Sequence, residues 1–277
     1  MKNNVREILA DKLTPEELSH LVTSFDIIGS IVIIEIPEEL KSKEKIIAEA
    51  IMAVNKNIKT VCKRAGEHSG TFRIRPVEVI AGENTTVTTY IESGARMKLD
   101  VNKVYFTPRL SFERERIAAQ VQEGEVIGAW FAGVGPFPLV IFRKQKNVKI
   151  YAIELNPDAF NYMVENIRIN KAQTVIEPFM GDVREIAKTL PKCDRILMPL
   201  PKGAETFLDV ALDSIKPNGI IHYFTFGDMN DPFSAAEANA FLIAKNCNKK
   251  IMIINSRVVR PFSPSKVQVV FDIQVLN

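Results

Sequence analysis

The chain has 277 residues, 46% of them hydrophobic, which is enough for one large cored domain or two smaller ones. No apolar run approaches the roughly 18 residues a membrane span needs, and the amino terminus lacks a signal-peptide core, so a soluble, cytoplasmic protein is expected. A net charge of +3 from 36 basic and 33 acidic residues does not by itself demand a polyanion partner. Three scattered cysteines, Cys62, Cys193 and Cys247, and three histidines argue against a disulfide frame and against a metal site.

Thr14-Pro15-Glu16-Glu17 reads as an N-cap, a proline in the first turn and early carboxylates, which together start a helix. The β-branched run 27–36, stopped by Pro37, predicts one buried strand. An amphipathic helix follows over 43–54. Strands are predicted at 60–64, 71–80, 85–92 and 95–101, the last two joined as a hairpin at Ser93-Gly94. Residues 1–100 are thus expected to form a small α+β domain. Its basic cluster of Lys63, Arg64, Arg73 and Arg75 beside Phe72 suits either RNA phosphates or a solvated strand pair. Residues 109–122 carry apolar side chains at helical spacing and predict a helix bridging into a second domain, 101–277.

From residue 125 the β/α alternation is regular, with strands expected near 126, 149, 175 and 195 and over 219–225. The runs 250–259 and 266–275 have no helix between them and should pair antiparallel. The richest segment is Ala129-Trp130-Phe131-Ala132-Gly133-Val134-Gly135-Pro136, a glycine turn after the first of these strands. Glycine lets the backbone approach a ligand closely and tolerate positive φ. Glu154 closes the next strand about twenty residues on, where an acid accepts hydrogen bonds from ribose hydroxyls. The third dinucleotide glycine and the Gly-Lys-Ser/Thr of a triphosphate cradle are both missing, so the pattern fits an adenosyl ligand without phosphates, as in S-adenosylmethionine. Asn156-Pro157-Asp158 starts a helix to about 170, and Asp182 after the third strand can cap a helix, bind the adenine amino group, or do both.

Several separated segments together resemble the archaeal and eukaryotic tRNA guanine-37 N1-methyltransferases. They include Thr71-Phe72-Arg73-Ile74-Arg75-Pro76, Tyr105-Phe106-Thr107-Pro108-Arg109-Leu110, Phe131-Ala132-Gly133-Val134-Gly135-Pro136-Phe137, Asp194-Arg195-Ile196-Leu197-Met198, Ile221-His222-Tyr223, and Ser263-Pro264 with Asp272. The resemblance spans nearly all of the chain from about residue 5. It implies a Rossmann-like class I sheet that binds S-adenosylmethionine, preceded by a smaller α+β domain that helps hold the anticodon stem-loop of tRNA, expected to be tRNA(Phe). Carried over, Thr107, Arg114, Phe131, Gly133, Gly135, Glu154, Leu155, Asp182 and Val183 line the cofactor pocket, and Arg109 sits beside the target base. Pro199, Leu200, Pro201, Lys202, Arg73 and Arg75 face the substrate. Many relatives carry a further amino-terminal domain that grips the tRNA corner, and the chain is expected to lack it. Its oligomeric state is left open, with a monomer as the default.

Two positions depart from the family pattern. Ala129 stands where an aspartate is usual, and Pro199 where an asparagine is usual, which removes both side-chain hydrogen-bonding arms from the base pocket. The Met198-Pro199-Leu200-Pro201 version resembles the archaeal branch linked to wyosine formation, whose members methylate N1 of guanosine 37, C7 of a tricyclic intermediate, or both. Arg109 is the candidate for stabilising charge on guanine O6. The general base is left among Glu113, Glu154, Asp182 and Asp194. Two other readings stay open: aminocarboxypropyl transfer to the wyosine precursor, and a tRNA-binding relative that has lost catalysis.

Overall fold

A computed structural model describes residues 4–66, 72, 74–200 and 202–276. They divide into two compact units, 1–92 with 96–109, and 93–95 with 110–277.

The smaller unit holds a sheet in the order β1-β2-β3-β4, with β1 Asp26–Ile28, β2 Ile31–Ile34, β3 Thr60–Arg64 and β4 Val77–Gly82. β2 and β3 run parallel because the helix Glu44–Val54 carries the chain back between them. That helix buries Ile47, Ala48 and Ile51 in a core shared with Leu9, Leu40, Val32 and Val61. The short helix Pro15–Ser19 starts at the expected N-cap, Thr14, which forms a capping box with Glu17 in which each satisfies the other's backbone N–H. β5 Val87–Glu92 and β6 Ala95–Asp100 form a two-stranded sheet around Ser93 and Gly94, both at positive φ.

Two expectations for this unit change. The single strand over 27–36 is a tight antiparallel hairpin, β1 to β2, turning at Gly29 with φ +58. A Cβ there would lie 2.3 Å from Thr88 Oγ1, so the turn depends on glycine inside a largely apolar run. Of the strand expected over 71–80, residues 71 and 73 lie outside the described residues, and the described strand begins at Val77, just after Pro76, which has no N–H to give a ladder.

The larger unit is a seven-stranded sheet in the order β12-β13-β11-β10-β7-β8-β9. Its strands are β7 Val126–Trp130, β8 Lys149–Glu154, β9 Ile176–Met180, β10 Cys193–Met198, β11 Ile215–Asp228, β12 Ile251–Ser263 and β13 Lys266–Val275. The pairings from β9 through β8, β7 and β10 to β11 are parallel, whereas β13 pairs antiparallel with both β11 and β12. The expected Rossmann-like α/β sheet with a closing hairpin is therefore present. Its central strands read as unbroken apolar runs because helices cover both faces of a parallel sheet.

Strand order reverses between β7 and β10, which opens a crevice at their carboxyl ends. The bridging helix is shorter than expected, Ser111–Ala118. The chain leaves it early and the Gln120 carbonyl accepts from Arg195 Nη2 at 3.2 Å, a tertiary bond that local spacing cannot reveal. β12 continues through Pro261 to Ser263, since register shifts on this edge strand accommodate the proline.

Candidate active site

Four loops leave the carboxyl ends of β7, β8, β9 and β10, and they bring together most of the expected cofactor residues. After β7 the backbone turns through Phe131 (φ +53), Gly133 (φ +57) and Gly135 (φ +90). Phe131 is a bulky residue in the left-handed region, a strained conformation typical of ligand-binding turns. Gly135 is the N-cap of the helix Pro136–Lys144, and a Cβ there would press on Met163 Cγ at 3.3 Å. The turn is pinned from beneath by the buried Asn166, whose Nδ2 donates to the Val134 carbonyl at 3.0 Å.

Glu154 ends β8 and reaches back to this turn. Its Oε2 accepts from Gly133 N–H at 2.6 Å and its Oε1 from Asn156 N–H at 2.7 Å. Burial pushes the carboxyl above the usual range, and the N–H groups of Asn156 and Gly133 offset part of that push. Leu155 N–H is a third backbone donor to this carboxylate, which leaves a lone pair for an added donor such as a ribose hydroxyl. Among the described residues no cation pairs with it, so it suits an uncharged polyol better than a phosphate.

Asp182 follows β9, caps the helix Val183–Ile186 by accepting from Arg184 N–H at 2.8 Å, and remains partly exposed; Val183 is buried beneath it. Leu155 and Met180 are large apolar residues left exposed at the ends of the same two strands. An apolar strip between two acids matches the face and edge of an adenine ring. Glycine-supported backbone, an acid for hydroxyls and an apolar slot are what adenosine needs, so the residues present fit S-adenosylmethionine.

Sequence reasoning missed one wall of this edge. Arg184 stacks over the Phe207 ring at 3.7 Å and donates to Thr206, and Phe207 packs edge-on against Phe131 at 4.9 Å. The only local signal was a basic residue two places after Asp182. Ala129 lies inside β7 between Ala152 and Leu197 and is fully buried. That position therefore offers no hydrogen bond to a methionine moiety. Arg114 is buried on its helix, 6.0 Å from the Phe137 ring at the start of the helix Pro136–Lys144. Pro199 and Leu200 are half-buried just past β10, and Lys202 is exposed. Pro201 and Arg73 lie outside the described residues.

The remaining expected residues belong to the smaller unit. Thr107 Oγ1 accepts from the Arg109 N–H at 3.3 Å, and Arg109 Nε donates to Asp26 at 2.8 Å. Arg75 donates to Glu35 and to the Gly66 carbonyl. Lys63 pairs with Glu44 and Glu78, and Arg64 with Asp26. The described part of the basic cluster is thus interleaved with acids.

The carboxylates considered as bases separate by position. Asp194 accepts from Val126 N–H and Lys216 at the amino-terminal ends of β7, β10 and β11, the edge opposite the glycine turn. Its distance from the cofactor edge removes it as a base. Glu113 is buried on the helix Ser111–Ala118, paired with Arg116 at 2.7 Å, and Arg257 Nε approaches it to 3.0 Å without hydrogen-bond geometry. Arg116 in turn grips Asp272 with both terminal nitrogens, at 2.5 and 3.0 Å. Asp272 bonds His222 Nδ1 at 2.6 Å, and His222 Nε2 meets Arg195 Nη1 at 2.7 Å. A guanidinium only donates, so His222 is neutral, accepts at Nε2 and donates from Nδ1 to Asp272.

Burial pushes the thiols of Cys193 and Cys62 up to about 12 and about 11, which keeps them protonated and inert. Among the described residues no group of His, Cys, Asp and Glu is placed to hold a metal, and no helix is long and apolar enough to cross a membrane.

Comparison with known proteins identifies this arrangement. The profile of the TRM5/TYW2 methyltransferase domain matches residues 88–252, and that of the TYW2 N-terminal domain matches residues 5–85. The chain belongs to the TRM5/TYW2 family. It is an S-adenosylmethionine-dependent tRNA methyltransferase. A relative, the tRNA (guanine(37)-N(1))-methyltransferase Trm5b of Pyrococcus abyssi, is 44% identical over 274 residues, covering 99% of the chain and 80% of the relative. The tRNA 4-demethylwyosine(37)-methyltransferase Taw21 of Saccharolobus solfataricus is 36% identical over 253 residues, covering 90% and 92%. The solved complex of aTrm5 with tRNALeu superposes with a TM-score of 0.87 at 36% identity, covering all of the chain and 79% of that structure.

Proposed function

We propose that the chain transfers the methyl group of S-adenosylmethionine to the purine at position 37 in the anticodon loop of tRNA, with tRNA(Phe) as the principal substrate. The reaction is methylation of N1 of guanosine, extended to C7 of the tricyclic wyosine precursor. Glu154 carries the cofactor half of this reading, because a part-buried carboxylate braced on Gly133 N–H, with no counter-cation among the described residues, is built for ribose hydroxyls. Pro199 favours the extension: a proline offers the base no side-chain donor or acceptor, which suits a bulky, polar-poor ring system over a tight guanine clamp. Likeness to both Trm5b and Taw21 supports the same pair of substrates.

The bound sulfonium supplies an electrophilic methyl carbon with a thioether leaving group. Everything else falls to this chain. Phe131, Gly133, Gly135, Leu155 and Val183 shape the adenosine slot, Glu154 and Asp182 take its hydroxyl and amino donors, and Thr107 and Arg114 hold its methionine end. Arg109 stabilises the negative charge that grows on O6 as N1 loses its proton. Of the four carboxylates considered, Glu154 and Asp182 are committed to the cofactor and Asp194 lies at the wrong edge. Glu113, on the helix directly after Arg109, is buried in its pair with Arg116, so none of the four is assigned the N1 proton. Leu200, Pro201 and Lys202 follow Pro199 around the base, while Arg73 and Arg75 of residues 1–100 contact phosphates of the stem-loop. The enzyme works as a monomer in the cytoplasm.

Incubation with labelled cofactor and two tRNA(Phe) substrates, one with guanosine and one with 4-demethylwyosine at position 37, tests the proposal by nucleoside mass spectrometry. A gain of one methyl on either base is expected. A gain of an aminocarboxypropyl group, or no product despite cofactor binding, would sink it.

A further inference from the structure

We propose that Asp26 is a positioning residue for Arg109: it holds the guanidinium by Nε so that its terminal nitrogens are presented to the oxyanion of the target purine. The proposal rests on the role assigned to Arg109 above. It adds a residue that no sequence motif singled out, 83 positions away in the chain.

The geometry is specific. Asp26 opens β1 and its side chain is largely buried, 17% exposed. Oδ1 accepts from Arg109 Nε at 2.8 Å and Oδ2 from Arg64 Nη2 at 2.8 Å, so each oxygen serves one guanidinium. One carboxylate between two arginines leaves the triad with a net positive charge. The two cations are not equivalent: Arg64 is 22% exposed, whereas Arg109 is 52% exposed. Arg64 therefore helps hold Asp26 in place, while Arg109 is the member offered to a ligand.

Bonding through Nε alone fixes the plane of a guanidinium and leaves the fork of Nη1 and Nη2 free to donate. The structure gives that fork no partner among the described residues. A fork held in one orientation loses little on meeting an oxyanion, whereas an unrestrained arginine must be ordered first. An ordinary surface ion pair would instead be indifferent to catalysis.

The test is a mutant cycle read in single turnover with saturating tRNA, beside calorimetric cofactor binding. Arg109→Ala is expected to slow methyl transfer by about a hundredfold, the usual effect of removing one oxyanion donor. Asp26→Ala is expected to slow it by roughly tenfold to a hundredfold, with Asp26→Glu recovering part of the rate and cofactor affinity unchanged. The double variant should be no slower than Arg109→Ala, because Asp26 acts only through that side chain. Should Asp26→Ala compromise folding, the isosteric Asp26→Asn carries the same cycle. A slow Arg109→Ala with a wild-type rate for the Asp26 variants, or multiplicative losses in the double variant, overturns the positioning role and leaves the role of Arg109 standing. A wild-type rate for Arg109→Ala overturns both.

Discussion

The two units handle charge in opposite ways. In the smaller one, Lys63, Arg64, Arg75 and Arg109 each pair with an acid across neighbouring segments, and their side chains keep between 18% and 52% of their surface in solvent. In the larger one, Arg195, His222, Asp272 and Glu113 are all buried and linked through Arg116. Solvated pairs add little stability, so those of Lys63 and Arg75 can be exchanged for RNA phosphates at little loss, while that of Arg109 sets its orientation. A buried chain cannot be exchanged, since each member left alone would be an unpaired charge in a low dielectric. The first arrangement is suited to recognition and the second to holding β10, β11, β13 and the helix Ser111–Ala118 in one register.

The comparison is broken most easily at Asp272. Asp272→Ala strands Arg116 and His222 and should cost about 3–5 kcal/mol, read by urea unfolding. A loss below about 1 kcal/mol would place that chain in the same class as the surface pairs. At the candidate cofactor edge, Glu154→Ala removes the proposed ribose acceptor and leaves Gly133 N–H unpaired. Cofactor Kd should rise about 30- to 100-fold, or roughly 2–3 kcal/mol, in calorimetry. Unaltered affinity would remove Glu154 from the pocket.

A pH series sharpens the contrast further. Burial, together with Arg195 and Arg116, holds the His222 pKa below its ordinary value despite the pull of Asp272. The unfolded chain then binds a proton that the folded chain refuses. This contribution is complete above the ordinary histidine pKa of about 6.5 and is lost as pH falls below it, by up to about 1.4 kcal/mol per unit. His222→Asn should flatten the slope between about pH 6.5 and 5, a range fixed by the ordinary histidine value. The smallest effect is expected at Lys63. Lys63→Ala should change stability by less than about 1 kcal/mol, yet make the salt dependence of tRNA binding shallower by about one charge. An unchanged slope would take this part of the smaller unit off the RNA face.

The placement of much of the candidate cofactor edge was legible because it is local. Gly133, Gly135, Glu154, Asn156 and Asp182 stand at the ends of apolar runs, and parallel β/α units place strand ends side by side whatever else the chain does. The capping roles of Thr14, Asn156 and Asp182 were likewise readable from neighbouring residues. What failed was local punctuation overridden at a distance. Gly29 turns the chain inside a run that reads as one strand, and the helix after Arg109 ends early to give Arg195 a carbonyl.

The sequence by itself determined the α/β alternation, the glycine turn with its acid, and family membership, since these depend on short-range pattern and on backbone freedom at single positions. Only the tertiary structure decided which charges meet. It joined Asp26 to Arg64 and Arg109, sent Asp194 to the far edge of the sheet, and threaded His222 between Arg195 and Asp272. Ion pairing is settled by distances of a few ångströms between residues dozens of positions apart, and the spacing of residues along a chain carries no record of those distances.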